Sequence, residues 1–162
     1  MKKSFLFIVV LFISISFCTD NFAQGLESDY KTAVGAKVFF GNGTSGGFNF
    51  KSFIKPDAAI EASFIFFEGP IVGLDALYLF HGDINDAPGL KWYAGGGGLF
   101  MFVTESGYSD NFGFALRPVI GLDYKFKGAP ISVAIDANPI FNLVPATEVQ
   151  FALGLSFRYV IN

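Results

Sequence analysis

The chain ends in Gln150-Phe-Ala-Leu-Gly-Leu-Ser-Phe-Arg-Tyr-Val-Ile-Asn162, a stretch in which every second residue is apolar or aromatic. The residues between them are small or polar. Successive side chains of a β-strand point to opposite faces, so the alternation predicts a strand with one apolar face and one polar face. The apolar set is Phe151, Leu153, Leu155, Phe157 and Tyr159.

The beginning of the chain has the features of a secretory signal peptide. Lys2 and Lys3 give a positively charged start, residues 5–17 form an apolar run, and small residues around Ala23 fit a cleavage site. The run of about 13 residues is shorter than the roughly 20 that a membrane-spanning helix needs. We therefore expect residues 1–24 to be removed on export.

The mature chain, residues 25–162, has the size of one domain. Without the leader, the 11 basic and 14 acidic residues fall to 9 and 13, a net charge of −4. This balance argues against a nucleic-acid partner, which requires a basic surface. The one cysteine, Cys18, lies in the leader, so no disulfide is expected after cleavage. A lipid anchor on Cys18 is an alternative that the bulky Phe17 before it disfavours, and an uncleaved N-terminal anchor is another.

Eight alternating segments follow the leader, separated by turn residues. Most have roughly the 9–11 residues with which a tilted strand crosses a bilayer. In each segment one face is apolar, and the charged residues fall on the other face. Proline cannot donate to a strand ladder, so we expect a bulge at Pro118 and a loop through Pro139 and Pro145. The segments are 30–40, 47–54, 58–67, 71–80, 90–103, 112–126, 131–137 and 150–161.

The aromatic residues of the apolar face are sorted by height if these segments form an antiparallel barrel with both termini in the periplasm. Such girdles are typical of the levels at which a membrane barrel meets the lipid headgroups. The predicted fold is therefore all-β: a single eight-stranded antiparallel up-and-down transmembrane β-barrel. The periplasmic group is Tyr30, Phe80, Trp92, Tyr124, Phe126, Phe157 and Tyr159. The outer group is Phe40, Phe48, Phe66, Phe102, Phe112 and Phe151.

At the level of this pattern the mature chain resembles the small eight-stranded outer-membrane β-barrel proteins of Gram-negative bacteria, a porin-like superfamily. The sharpest local match is to their C-terminal insertion signal, which corresponds here to Gly154, Phe157 and Tyr159. Ala152 stands where the family has a polar residue, and three residues follow the last aromatic. The resemblance implies the cell outer membrane as location, its lipid bilayer as surroundings, and contact of the C-terminal strand with the barrel-assembly machinery.

The charged residues of the polar faces are expected to meet inside the barrel. Eight strands enclose an interior that side chains just fill, and buried charges have to be paired. We expect a structural network that closes the lumen; a gated polar path or ligand site is less favoured. The expected network is Lys37, Lys51, Glu61, Asp75, Arg117, Asp123, Lys125, Asp136 and Arg158. Inward apolar residues that could line a site for an apolar ligand, but more often pack, are Phe39, Phe53, Ile65, Phe67, Leu77, Leu99 and Met101.

No catalytic, cofactor or metal site is expected. His81 is the only histidine, and we interpret it as an interfacial or turn residue. Residues 95–98 are four glycines with no following Lys-Ser/Thr or helix, so they indicate strand bending rather than a phosphate loop. The expected role is structural, in the envelope or in surface contacts through outer loops 105–110 and 142–149. A narrow channel or hydrophobic-ligand transport barrel, and a soluble periplasmic lipocalin-like barrel, are the alternatives.

Overall fold

The computed structural model describes residues 30–41, 43–105 and 112–161, which form eight antiparallel β-strands closed into one barrel. Each strand pairs with its neighbours in the chain, and β8 closes the barrel against β1 from Thr32↔Ile161 to Phe40↔Leu153. The predicted all-β, eight-stranded up-and-down barrel is confirmed. The strands are β1 (Thr32–Gly41), β2 (Gly43–Lys55), β3 (Ala58–Phe66), β4 (Ile71–Asp83), β5 (Leu90–Val103), β6 (Phe112–Lys125), β7 (Ile131–Val144) and β8 (Glu148–Ile161).

The two ends of the barrel are named here by the chain termini. The terminal end holds the start of β1, the end of β8 and the connections at 56–57, 84–89 and 126–130. The far end holds the connections at 67–70 and 145–147, the end of β1 at Gly41, the start of β2 at Gly43, the end of β5 at Val103 and the start of β6 at Phe112. The predicted leader, 1–24, and residues 106–110 of the predicted outer loop lie outside the described residues. Within the described ranges, no helix is long and apolar enough to cross a membrane.

The outward side chains are mostly apolar over the whole height of the barrel. Ile120, in the middle of β6, is 62% exposed, and Phe151, near the far-end start of β8, is 54% exposed. A water-soluble protein rarely exposes an apolar surface of this extent, whereas a membrane barrel presents it to lipid. The aromatic rings at the terminal end are Phe80, Trp92, Tyr124, Phe126, Phe157 and Tyr159, all exposed. Those at the far end are Phe40, Phe66, Phe102, Phe112 and Phe151, also exposed. Phe48, predicted for this group, is exposed but lies in the middle of β2, because the strand begins at Gly43 and not at residue 47.

Tyr30 does not belong to the outer ring of aromatics, contrary to the prediction. It is 5% exposed and packs edge-on against Phe53 inside the barrel, with ring centroids 5.1 Å apart. The prediction extended the alternation of β1 backwards to Tyr30. Since β1 begins at Thr32, Tyr30 precedes the strand and its side chain is free to turn inward.

Strand β7 is longer than the sequence predicted. It continues through Pro139 to Val144, so most of the predicted loop 142–149 is strand and only residues 145–147 connect β7 to β8. The ladder between β7 and β8 runs unbroken past Pro139, which lies opposite Phe151. The missing N–H of Pro139 thus does not interrupt the pairing of β7 with β8.

Pro118 does not form the predicted bulge, because its register with β5 is continuous through the pair Gly96↔Pro118. The backbone N–H of Phe126 donates to the carbonyl oxygen of Ile131, the first residue of β7. The backbone groups of a strand point to its two neighbours in alternation, so every second residue of β6 from Phe126 back to Pro118 directs its nitrogen toward β7. By the same alternation from Ile131, the nitrogen of Pro139 faces β6.

Consequently the two prolines face each other across one seam with no N–H on either side. The pairing of β6 with β7 stops at Leu116↔Phe141 and resumes at Ile120↔Ala137, a register that places Pro118 opposite Pro139. We call the interrupted stretch, residues 117–119 of β6 and 138–140 of β7, the proline gap. It lies near the middle of both strands and hence near the middle of the apolar belt.

Candidate functional site

Glu61 is the centre of a network of charges that crosses the lumen. Its two oxygens accept from Lys37 Nζ and Arg158 Nη2, each at 2.7 Å. Lys37 Nζ also lies 2.8 Å from an oxygen of Asp136. These residues belong to β3, β1, β8 and β7, and all four side chains are buried. The ion pairs therefore link strands on different sides of the barrel, and Glu61 holds two cations at once.

Asp123 is a second anchor, nearer the terminal end. Its Oδ2 accepts from Lys51 Nζ at 2.5 Å and from the Tyr30 hydroxyl at 2.7 Å, while its Oδ1 accepts from the Ser132 hydroxyl at 3.1 Å. Arg158 Nη1 lies 3.8 Å from Oδ2 and so joins this cluster to the first. The inward Tyr30 is thus part of the network, with its hydroxyl on a carboxylate.

Arg117 forms the part of the network nearest the far end. Its guanidinium pairs with Asp75, donates through Nη2 to Asn138 Oδ1 at 2.8 Å, and lies over the ring of Phe39, 4.6 Å from its centroid. The bond to Asn138 crosses the proline gap on its inner side. Arg117 Nε and the second oxygen of Asp75 have no hydrogen-bond partner among the described residues.

The structure brings together eight of the nine residues that the sequence pattern singled out. These eight are four cations and four anions, so the charges of this network balance; Lys91 is also buried, near the terminal end, and pairs with Asp83. The eight are Lys37, Lys51, Arg117, Arg158, Glu61, Asp75, Asp123 and Asp136.

Lys125 does not belong to this network, although the sequence pattern placed it there. It is half-buried at the end of β6, and its Nζ donates to the carbonyl oxygens of Phe126 at 2.9 Å and Ala129 at 2.7 Å. Turn carbonyls need donors, and those of the 126–130 connection are within reach of a lysine at the strand end. Lys125 therefore ties a turn together.

Neutral polar residues complete the network and were missed by reasoning that followed charges alone. Tyr93 donates to Asp136 at 2.5 Å, and Asn49 accepts from Arg158 Nε and donates to Ser63 at 3.0 Å. Asn138 accepts from Arg117 and donates to Asp136. All of them share the inward parity of the charged residues, and that parity is the signal that would have found them.

Gly154 leaves room for the network. A Cβ at this position would overlap a carboxylate oxygen of Asp136 and come within 3.0 Å of Lys37 Cε. The other residues of the predicted insertion signal, Phe157 and Tyr159, point outward and are 59% and 57% exposed. Gly154 thus has a packing reason of its own to lack a side chain.

His81 is buried in the interior, which corrects its interpretation as an interfacial or turn residue. It lies within β4, is 3% exposed, and its ring stacks on Tyr93 with centroids 5.4 Å apart and contacts Phe53 at 4.7 Å. The strand extends to Asp83, so the alternation that turns Phe80 outward turns His81 inward. In the part of the chain that the structure describes, no three His, Cys, Asp or Glu side chains group as metal ligands.

A cavity of about 420 Å³ opens at the far end of the barrel, between this end and the charge network. Its walls include Phe39, Phe67, Leu99, Met101 and Ile140. Arg117 lies at its inner end, and the carboxylates of Glu68 and Glu148 lie at its mouth. We refer to this space as the far-end cavity.

No protein-family model matches the chain, and no curated protein matches its sequence. Its fold is similar to that of the N-terminal β-barrel domain of OprF from Pseudomonas aeruginosa, with a TM-score of 0.67 and 13% identity over 80% of this chain and 96% of that one. Neisserial surface protein A (NspA) gives a TM-score of 0.53 and 16% identity over 80% and 95% of the two chains. A de novo designed transmembrane β-barrel gives 0.60 and 12% over 83% and 99%.

At these identities the likeness is one of fold. It confirms the resemblance to small eight-stranded outer-membrane barrels that the sequence pattern indicated. Together with the apolar exterior, it identifies the chain as a membrane β-barrel.

Proposed function

We propose that this protein is an outer-membrane β-barrel with a charge-plugged interior, whose role is structural in the envelope or interactive at the cell surface, without catalysis. The observation that carries the proposal is the balanced network around Glu61, which joins strands across the lumen in a space that eight strands leave only wide enough for side chains. Paired charges of this kind hold strands together and obstruct ions. In this proposal the far end of the barrel faces the cell exterior, and the terminal end faces the periplasm.

Ion conductance across a planar lipid bilayer tests the plug. The full mature chain should show no steady conductance, whereas the triple variant Lys37→Ala/Glu61→Ala/Arg158→Ala should conduct, because it removes the side chains that cross the lumen. The matched control changes three exposed charges at the barrel ends, Lys31→Ala/Glu105→Ala/Lys127→Ala, and should stay silent. Steady conductance of the unmodified protein would overturn the closed-barrel role and favour the narrow channel.

Export and assembly complete the proposal. The leader 1–24 directs the chain across the inner membrane, and the C-terminal strand, through Gly154, Phe157 and Tyr159, engages the barrel-assembly machinery. Phe157→Ser/Tyr159→Ser should slow insertion into proteoliposomes that carry this machinery more than it slows unassisted folding into short-chain lipid. Equal slowing in both systems would mean that the two rings act only through burial in lipid.

The soluble lipocalin-like alternative requires the outward surface to face water. The ring of exposed phenylalanines at each end and exposed aliphatic residues such as Ile120 and Leu153 between them argue against it. Recovery of the mature protein from periplasm without detergent, in folded form, would favour that alternative over the membrane barrel.

A further inference from the structure

The far-end cavity has the size and the walls of a small-molecule site. Its volume of about 420 Å³ lies within the range of about 300–1,000 Å³ typical of such sites. Phe39 and Leu99 are buried beside it, and Phe67, Met101 and Ile140 are partly buried against the same cluster. Binding of an apolar molecule to such a wall is favourable, because it removes apolar surface of both the wall and the molecule from water.

The charges around the cavity select against an anionic ligand. Glu68 and Glu148 stand at its mouth, and the charge of Arg117 is already paired with Asp75. Arg117 itself is 1% exposed, and its Nε, which has no hydrogen-bond partner among the described residues, is buried rather than open to the cavity. The fitting ligand is therefore uncharged and rich in hydrocarbon.

A ligand in this cavity has no straight path onward to the terminal end. Between Arg117 and the terminal end the lumen is crossed by the ion pairs of Glu61 with Lys37 and Arg158. An apolar molecule would have to break these pairs and leave buried charges uncompensated. A sideways path is different. Arg117 and Ile140, which line the cavity, are also residues of the proline gap.

At the gap, two ladder hydrogen bonds are missing between β6 and β7 because neither proline can donate. The backbone carbonyls of Pro118 and Pro139 on this seam therefore have no ladder N–H opposite them. On the inner side, the bond from Arg117 to Asn138 is what spans the seam. Strand separation at this point breaks fewer hydrogen bonds than at a complete ladder.

We propose that the far-end cavity binds a neutral, hydrocarbon-rich molecule and that the proline gap is the route by which this molecule passes between the cavity and the bilayer. This goes beyond the structural role proposed above, since a barrel that is closed to ions can still exchange an apolar molecule sideways. The charge network around Glu61 then blocks passage along the barrel axis, whereas the proline gap allows passage through the barrel wall.

Binding is tested with the full mature chain in phosphatidylcholine vesicles and the neutral fluorophore N-phenyl-1-naphthylamine as the probe. Met101→Trp places an indole in the cavity and should weaken probe binding by about tenfold or more. Phe100→Trp, its neighbour on the lipid face, is the matched control and should leave binding unchanged. Binding that survives Met101→Trp in folded protein would overturn the site; if that variant does not fold, Ile140→Phe narrows the same wall.

Competition tests the class of ligand. 1-Decanol should displace the probe at a concentration about tenfold lower than decanoate, because the carboxylates at the mouth repel an anion. Equal or stronger competition by decanoate would overturn the assignment of a neutral ligand.

The route is tested by a disulfide across the gap. Leu116→Cys/Phe141→Cys joins the pair just beyond the prolines on the outward face, and Ile135→Cys/Leu155→Cys joins an outward pair on the complete β7–β8 seam as the control. Arrival of bound probe in bromine-labelled lipid, read from quenching, should slow about tenfold or more in the first variant. Reduction should restore it, and the control should keep the unmodified rate. An unchanged rate in the oxidised first variant would exclude the gap as the route.

Discussion

A lysine placed on the outward face should cost free energy according to its depth, and two positions make this a matched comparison. Ile120 in the middle of β6 and Val149 at the start of β8 are 62% and 63% exposed, so their side chains have equal access to the surroundings. If both side chains face water, a lysine should change the free energy of unfolding equally at the two positions. If the barrel lies in a bilayer, the change should be larger at the deeper position.

The expected magnitude follows from where each residue lies along its strand. With about 3.3 Å per residue and a tilt of about 40°, Ile120 lies about 4 Å from the middle of β6, and Val149 about 14 Å from the middle of β8. The apolar band of such a barrel is about 25 Å tall, so Ile120 lies deep within it and Val149 at its edge. Ile120→Lys should therefore lower the free energy of unfolding by about 2–4 kcal/mol, and Val149→Lys by about 0–1 kcal/mol.

Reversible urea unfolding from phospholipid vesicles measures both values. The single tryptophan, Trp92, lies on the outward face near the terminal end, so its fluorescence reports transfer out of the lipid. Ile120→Met and Val149→Met control for the change of shape without charge. Lysine effects at the two positions that agree within about 0.5 kcal/mol would refute the placement of this surface in a bilayer.

The same titration and a gel assay test the interior and the seam. Glu61→Ala leaves two buried cations without their shared anion and should cost about 3–5 kcal/mol, whereas Glu105→Ala, an exposed change, should cost no more than about 0.5 kcal/mol; equal effects would contradict the network. Gly154→Ala forces a methyl against the neighbouring carboxylate and should cost about 1–3 kcal/mol, seen as heat-modified gel mobility at a lower temperature; an unchanged temperature would show that the site can relax. Pro118→Val/Pro139→Val returns two donors to the ladder and should stabilise the barrel by about 1–3 kcal/mol, with slower amide exchange along β6 and β7; a loss of stability would refute the account of the gap.

The sequence by itself determined the strands and their faces. Side-chain direction in a strand alternates with a period of two, which is a local property, so residues such as Phe157 and Arg158 could be assigned to opposite faces without knowledge of any partner strand. The number of strands, the apolar exterior and the inward parity of the charges all follow from this alternation and from the turn residues between segments. Where the alternation was extended past a strand end, as at Tyr30, the assignment was wrong.

Only the tertiary structure decided which residues meet. A slip of two residues between neighbouring strands keeps every side chain on its face but changes every partner, so alternation cannot fix the register. Arg158 reaches Glu61 across 97 residues of sequence because barrel closure and connection lengths set that register. For the same reason, the sequence placed Pro118 and Pro139 in or beside neighbouring strands but did not show that they stand opposite each other. The pairing of charges and the position of the gap are both consequences of register.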